Sequence, residues 1–378
     1  MDSNKPKSLS DYKEEIHKCS KCGLCQAVCP LFQTTGNECS VSRGQFIMLD
    51  GVVKGKLKLN KNINKYLDLC LKCNKCSEFC PSEINVVDIL LCAKHEYFKN
   101  SIQGKIYSFL ESKPVFNTTL TTIKILSNIF SLNIIKKKQK KYPIKAIYFG
   151  GCISALKPKV NNYVINLLNK IGIEVLPIDF NCCGMPFLTT GNKERFIEQA
   201  IENIKKLPEN CDMIITDCAS CEWSWQQYSK YVEDTDLTNK LEKIKIKDLY
   251  DLICENDLKF ESKKELKITY HKPCHTKKDT CDKILNIIKN IQNTTYTEME
   301  EYDNCCGFAS YEHPQTLSET KQVRKRKQKS ITHTKSDFVI TNCVGCLTAL
   351  KLMEHKTKTK PRRLISFLKD NCKIKHKY

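Results

Sequence analysis

Two stretches decide how this chain is read: CSKCGLCQAVCP at residues 19–30 and CLKCNKCSEFCP at residues 70–81. Both space their cysteines as C-x2-C-x2-C-x3-C-P. Three closely spaced thiolates wrap one face of a cubane iron–sulfur cluster, and the fourth, just ahead of a proline, turns away to a second cluster. The spacing predicts two [4Fe–4S] clusters, one held by Cys19, Cys22, Cys25 and Cys80, the other by Cys70, Cys73, Cys76 and Cys29. A zinc site takes four ligands and would leave the third thiol of each run unexplained. Disulfides account for neither the duplication nor the prolines.

The chain has 378 residues, room for two to three domains, and 41% of them are hydrophobic, enough for a proper core. Its 24 cysteines would mean a disulfide scaffold in a small secreted protein. In a long chain whose start, MDSNKPKSLSDYKEE, has no apolar signal-peptide core, they read as reduced ligands, and the expected compartment is the cytoplasm. The net charge of +20 comes almost entirely from lysine, with six arginines among 62 basic residues. Phosphate and base recognition lean on arginine, and no nucleic-acid motif is present, so no nucleic-acid partner is expected. Two denser runs, KKKQKK at 136–141 and RKRK at 324–327, are expected to be solvated stretches, with an anionic lipid surface or acidic partner as the other reading.

The pattern divides the chain into four parts. Residues 1–100 read as a mostly helical two-cluster domain, with a turn entering a helix at 42–49, a helix at 66–69 that delivers Cys70, and a helix over 86–98. Residues 101–142 form an apolar and basic helical connector. Its stretch 120–135 is too short and too mixed to cross a membrane, and is expected to pack against protein in preference to a membrane interface. Residues 143–262 and 263–378 alternate strands and helices: strands at 146–149, 173–178, 212–216, 266–270 and 337–340, helices at 160–171 and 284–291.

A second cysteine set repeats across those last two parts. Cys152, Cys182-Cys183-Gly184 and Cys218-x2-Cys221 recur as Cys274, Cys305-Cys306-Gly307 and Cys343-x2-Cys346, at offsets of 122, 123 and 125 residues. A near-constant offset at separated points signals internal duplication. Each cysteine group follows a predicted strand, where open α/β sheets bind ligands. Five thiols per copy could converge on one site. That is one too many for tetrahedral zinc and suits a larger iron–sulfur assembly or redox-active thiols. His271 and His275 flank Cys274, and beside five thiols a supporting or packed role is expected for each. Cys39, Cys92, Cys211, Cys254, Cys281 and Cys372 fit no pattern and are expected to be unligated.

These residues carry a resemblance. The Cys…Cys-Cys-Gly…Cys-x2-Cys pattern resembles the CCG cysteine-rich domain. Two such domains behind a two-cluster ferredoxin domain are similar to the iron–sulfur subunit of glycolate oxidase and its lactate and 2-hydroxyglutarate dehydrogenase relatives. The likeness rests on 19–44, 70–83, YHKPCH at 270–275 and CCGFASY at 305–311. The layout also resembles the D-type subunit of heterodisulfide reductase, where the CCG motif is associated with a noncubane [4Fe–4S] cluster. Members of the glycolate oxidase group often lack the first cysteine of the last Cys-x2-Cys; here Cys218 and Cys343 are both present, which pulls toward noncubane clusters or thiol chemistry. The Ser-Arg-Gly turn at 42–44 pulls back.

The expected fold is therefore α+β multidomain: an N-terminal helical ferredoxin domain followed by two repeated α/β CCG domains. No Gly-x-Gly-x-x-Gly nucleotide fingerprint is present. The resemblance implies an oxidoreductase subunit that is not self-sufficient, with FAD on a partner dehydrogenase subunit that oxidises glycolate, lactate or a similar 2-hydroxy acid. It implies electrons passed on to a quinone or another carrier, with peripheral contact at the inner face of the membrane left open. The other implied reading is disulfide reduction at a CCG-bound noncubane cluster.

Overall fold

The computed structural model describes residues 8–116, 118, 142–151, 158–178, 180, 182–309, 313 and 316–375. Cys152, the stretch 120–135 and the lysine run 136–141 lie outside the described residues. The N-terminal part is helical, as its pattern predicts. Helix Ser42–Val53, helix Lys61–Leu69 and helix Val86–Asn100 surround a core of Phe46, Leu49, Ile63, Leu67, Ile89 and Leu90. Asn60 starts the second of these by accepting from the Asn62 and Ile63 N–H groups at 3.0 and 3.1 Å. Gly44 has a packing reason: a Cβ there would collide with the Glu38 carbonyl.

The remainder holds two sheets of the same topology. The first has β1 (Ile144–Phe149), β2 (Ile173–Val175), β3 (Met213–Thr216) and β4 (Lys245–Asp248), all parallel, in the order β2-β1-β3-β4. The second has β5 (Lys259–Tyr270), β6 (Gln292–Tyr296), β7 (Phe338–Thr341) and β8 (Lys360–Arg363) in the order β6-β5-β7-β8, with β9 (Cys372–Lys375) antiparallel to the start of β5. The shared order is the duplication made visible. Strand order reverses between β1 and β3, and between β5 and β7, so each sheet opens a crevice at those carboxyl ends.

Three sequence expectations need adjusting. The boundary at 262/263 falls inside β5, whose first residues already pair with β9. The strand expected at 173–178 is only Ile173–Val175. The run at 324–327 is not a solvated stretch. It lies in helix Lys321–His333, with Lys327 buried, Arg326 paired with Glu301, and Arg324 donating to the Leu317 carbonyl at 2.6 Å.

The two copies pack reciprocally. Helix Pro158–Lys170 of the first lies against helix Leu364–Asn371 of the second, and helix Leu249–Glu255 of the first against helix Lys278–Lys289 of the second. Helix Lys278–Lys289 buries Cys281, Ile284, Ile287 and Ile288, one stripe at helical spacing. One apolar core runs through both sheets, from Val164 and Leu168 to Ile268, Ile284 and Phe367.

Candidate metal centres

The N-terminal sulfur loops come in two matching turns. Lys21 and Gly23 take φ of 60° and 88°; Lys72 and Asn74, the same places in the second run, take 52° and 63°. Left-handed residues at both positions curl the backbone around a concavity and turn N–H groups inward. Cys19, Cys22, Cys25 and Cys80 line one cavity of about 40 Å³. Cys29, Cys70, Cys73 and Cys76 line another of about 30 Å³. Ser42 and Cys76 border both, so the cavities are neighbours. The fourth cysteine of each run thus stands with the first three of the other.

The donor set suits a polycationic group. Burial pushes the Cys29 thiol up to about 11 and the Cys76 thiol up to about 12, and it raises Cys73 with the help of the Cys305 sulfur. Crowded buried thiols resist ionising together, and bound iron reverses that balance by taking the thiolates as ligands. Exposed Cys22 behaves oppositely: the Leu24 N–H holds it below its usual range.

Both CCG copies face one cavity of about 200 Å³. Cys182, Cys183, Cys218 and Cys221 line it from the first copy; Cys274, Cys305, Cys306, Cys343 and Cys346 line it from the second. The repeat spacing predicts one site per copy; the fold brings the described thiols of both to a common chamber. In each copy the glycine after the Cys-Cys pair takes positive φ (79° at Gly184, 77° at Gly307), and its N–H donates back to the first sulfur of the pair, at 3.4 Å to Cys182 and 3.3 Å to Cys305. Gly151 leaves room for close approach: a Cβ there would lie 3.0 Å from the Cys221 sulfur.

Two longer helices aim their N-termini at the chamber. Cys218 caps helix Ala219–Tyr231, Cys343 caps helix Val344–Thr357, and Cys221 and Cys346 sit in the first turns. A helix N-terminus favours thiolate over thiol. The two turns also meet: Ala219 N–H donates to the Asn342 carbonyl at 3.0 Å, and Ser220 Oγ lies 3.2 Å from the Cys343 sulfur. Hydrogen bonds from Cys182, Cys274 and Cys218 hold Cys183, Cys305 and Cys343 low, respectively. Donating to those neighbours, with burial, pushes Cys221 and Cys274 up.

The two-cluster domain is joined to this chamber. Leu71 and Lys72, between Cys70 and Cys73, line it. Leu31, Leu69 and Leu71 pack with Cys305 and Val323, with Cys29 and Cys73 at the edge of the same cluster. Deeper in the joint, Lys94 and Asp68 pair at 3.0 Å with both side chains 2% exposed. Lys94 also donates to the Thr189 carbonyl at 2.7 Å and lies 2.7 Å from His313 Nε2. Lys72 Nζ approaches the same nitrogen at 3.4 Å. Burial, then the charges of Lys94 and Lys72, holds the His313 imidazole neutral. One lysine therefore ties all three domains.

Sequence reasoning found the clustered thiols and missed this joint, because Lys94, Asp68 and His313 form no motif. His275, expected in a supporting or packed role, stacks on Trp223 at 5.4 Å, with its Nδ1 3.3 Å from Ser220 Oγ. Cys39 and Cys92 stand apart from both small cavities, and Cys211, Cys254, Cys281 and Cys372 stand apart from the chamber. Among the described residues no cysteine is in a disulfide, and no helix is long and apolar enough to cross a membrane.

Comparison with known proteins agrees with this architecture. Residues 15–84 match a 4Fe-4S dicluster domain, and residues 146–226 and 268–351 each match a cysteine-rich domain. The chain is 23% identical to the glycolate oxidase iron-sulfur subunit of Escherichia coli, over 89% of each chain. It is 22% identical to the D-type subunit of the dihydromethanophenazine:CoB–CoM heterodisulfide reductase of Methanosarcina acetivorans, covering 88% of this chain and 87% of that one. A crystal structure of a hypothetical protein from Helicobacter pylori superposes with a TM-score of 0.51 at 13% identity, covering 86% of this chain and 66% of the other. That likeness concerns the fold.

Proposed function

We propose, for a chain that belongs with the proteins joining a 4Fe–4S dicluster domain to two cysteine-rich CCG domains, that it is the electron-transfer subunit of a flavin-dependent 2-hydroxy-acid dehydrogenase complex. In this reading a partner subunit carries FAD and oxidises glycolate, lactate or a similar acid, and this chain passes the electrons toward a quinone or another carrier. The observation that carries it is the unbroken run of sulfur sites. Cys22 lies at the surface, Cys76 borders both small cavities, and Cys73 packs beside Cys305 at the chamber wall.

Bound at these sites, iron–sulfur clusters supply one-electron carriers whose potentials follow burial, hydrogen bonding and charge. In this reading Cys19, Cys22, Cys25 and Cys80 hold the outer one, and Cys29, Cys70, Cys73 and Cys76 the inner one. The ten CCG cysteines, Cys152 included, hold one or two further centres. Leu24 and Phe79, 51% and 58% exposed beside or near the outer cavity, offer the apolar surface a partner subunit would cover. Gly184 and Gly307 N–H groups and the two helix N-termini stabilise negative sulfur, so added electrons meet fixed positive dipoles.

A second reading, disulfide reduction in the chamber, is favoured by its shape. The cavity lies between the two thiol sets and has an apolar lining that includes Met185, Pro186, Pro273 and Phe308. The deciding experiment is anaerobic co-expression with candidate FAD subunits, followed by freeze-quench electron paramagnetic resonance. Cluster signals that appear on adding glycolate or lactate support the first reading. Pre-reduced signals that vanish on adding an organic disulfide, with no response to hydroxy acids, support the second and overturn the first.

A further inference from the structure

The two CCG copies share a topology but not a lining. In the first sheet Phe149 stands opposite Thr216, and its ring packs edge-on against Phe180 and Trp225 at 5.2 and 5.4 Å. In the second, Tyr270 pairs with Ile340, so the next residue, His271, stands opposite Thr341, the counterpart of Thr216. The repeat offsets put Asp303 and Leu350 where the first copy has Phe180 and Trp225. Where the first copy has an aromatic wall, the second has a buried imidazole.

His271 is fixed by its backbone. Its N–H donates to the Ile340 carbonyl at 2.9 Å, extending the ladder one residue past β5. The side chain is 1% exposed, and neither ring nitrogen makes a hydrogen bond of normal geometry. The Tyr302 carbonyl, which already accepts from the Lys272 N–H at 3.0 Å, stands near enough to hold one ring N–H weakly. A buried imidazole without a strong partner costs stability unless another interaction uses it. One ring nitrogen, the Cys306 sulfur and the Cys346 sulfur lie within 4.8 Å of one another, and the two sulfurs are 3.3 Å apart. Ligands around a tetrahedral zinc or iron sit about 3.5–3.8 Å apart, from metal–ligand bonds of about 2.0–2.3 Å. The neutral imidazole, one nitrogen of which carries no proton, is the form that ligates a metal.

We propose that the second CCG copy is a mixed nitrogen–sulfur metal site in which His271 ligates directly, with Cys306 and Cys346. The first copy is all-sulfur, because Phe149 occupies the equivalent place. The proposal rests on the reading that the CCG cysteines hold metal. On binding, Cys306 and Cys346 give up their thiol protons and the imidazole gives up none, so the site carries one negative charge less than an all-thiolate equivalent. Histidine in place of thiolate raises the potential of an iron–sulfur centre. The centre nearest Cys73 and the inner ferredoxin site is then the more oxidising of the two CCG centres.

The test uses the full chain, purified anaerobically from cells fed 15N-histidine, with iron, sulfide and zinc counts and pulsed paramagnetic-resonance nitrogen couplings at each reduction step. The wild type should show a histidine-15N coupling on one signal outside the ferredoxin pair, or one zinc. H271F should lose it together with that centre's metal, leaving the ferredoxin signals intact. H271C, which replaces imidazole with a thiolate, should keep the metal, lose the coupling and shift the centre to lower potential. Circular dichroism of each variant separates this from misfolding. Iron–sulfur signals from both CCG copies in the wild type without the coupling, or a coupling or zinc that survives H271F, overturns the proposal and leaves the electron-transfer reading standing. A preparation with no metal beyond the two ferredoxin clusters overturns the metal-site premise as well.

Discussion

Replacing Lys94 with Met tests how the three domains are held together. The side chain keeps its length and loses its charge. Asp68 then loses a partner at 3.0 Å in a site where both side chains are 2% exposed, and the Thr189 carbonyl loses a donor at 2.7 Å. Removing one member of a buried ion pair costs about 3–5 kcal/mol, because the other charge stays buried. At about 2–4 °C per kcal/mol for domains of this size, a loss of about 4 kcal/mol lowers the apparent melting temperature by about 8–16 °C. Asp68→Asn removes the opposite charge. The double variant should therefore be less destabilised than the two single losses combined, with a coupling of about 2–3 kcal/mol. Anaerobic melting curves at one fixed scan rate, on matched metal contents, give all four corners of the cycle. A single variant within about 2 °C of wild type, or a strictly additive double variant, would refute the claim that this buried pair anchors Lys94 at the joint between the domains.

Three further outcomes follow from the same geometry. Cys80→Ser should alter the same paramagnetic signal as Cys19→Ser, and Cys29→Ser the same one as Cys70→Ser; pairing within each run instead would contradict the crossed cavities. His313 is held neutral by burial and by Lys94 and Lys72, so its folded pKa lies below the ordinary value of about 6.5. Its contribution is present above about pH 6.5 and lost as pH falls, so wild type should lose about 1.4 kcal/mol per pH unit more than His313→Asn between pH 6.5 and about 4; parallel stability profiles would contradict this. Phe79→Glu should weaken binding of the flavoprotein partner at least tenfold in co-purification without changing iron content, and unchanged binding would remove this surface from the docking site.

Much of the molecule was legible because its chemistry is local. The two ferredoxin runs, the Cys-Cys-Gly turns and the strands ahead of Cys218, Cys274 and Cys343 are short-range patterns. The strands that escaped are edge or polar ones. Lys245–Asp248 and Lys360–Arg363 are rich in charge, and Gln292–Tyr296 alternates little, since an edge strand need not be apolar on both faces. The shared chamber could not be read from spacing, because it follows from how helices of one copy pack on the other. Nor could burial of Lys94 or Lys327, since lysine is almost always exposed and its charge gives no hint of the exception. His271 was legible as a residue beside Cys274, but its two unmet ring nitrogens appear only in three dimensions.

The most direct test of the central claim is a stepwise anaerobic redox titration followed by paramagnetic resonance, with iron and acid-labile sulfide counted on the same sample. The account predicts about eight irons and eight sulfides in two spin-coupled cubane clusters. It also predicts a further CCG-bound centre whose relaxation speeds up when the inner cluster, beside Cys73 and Cys305, is reduced. A colourless protein without labile sulfide would contradict it, and so would clusters too far apart to influence one another.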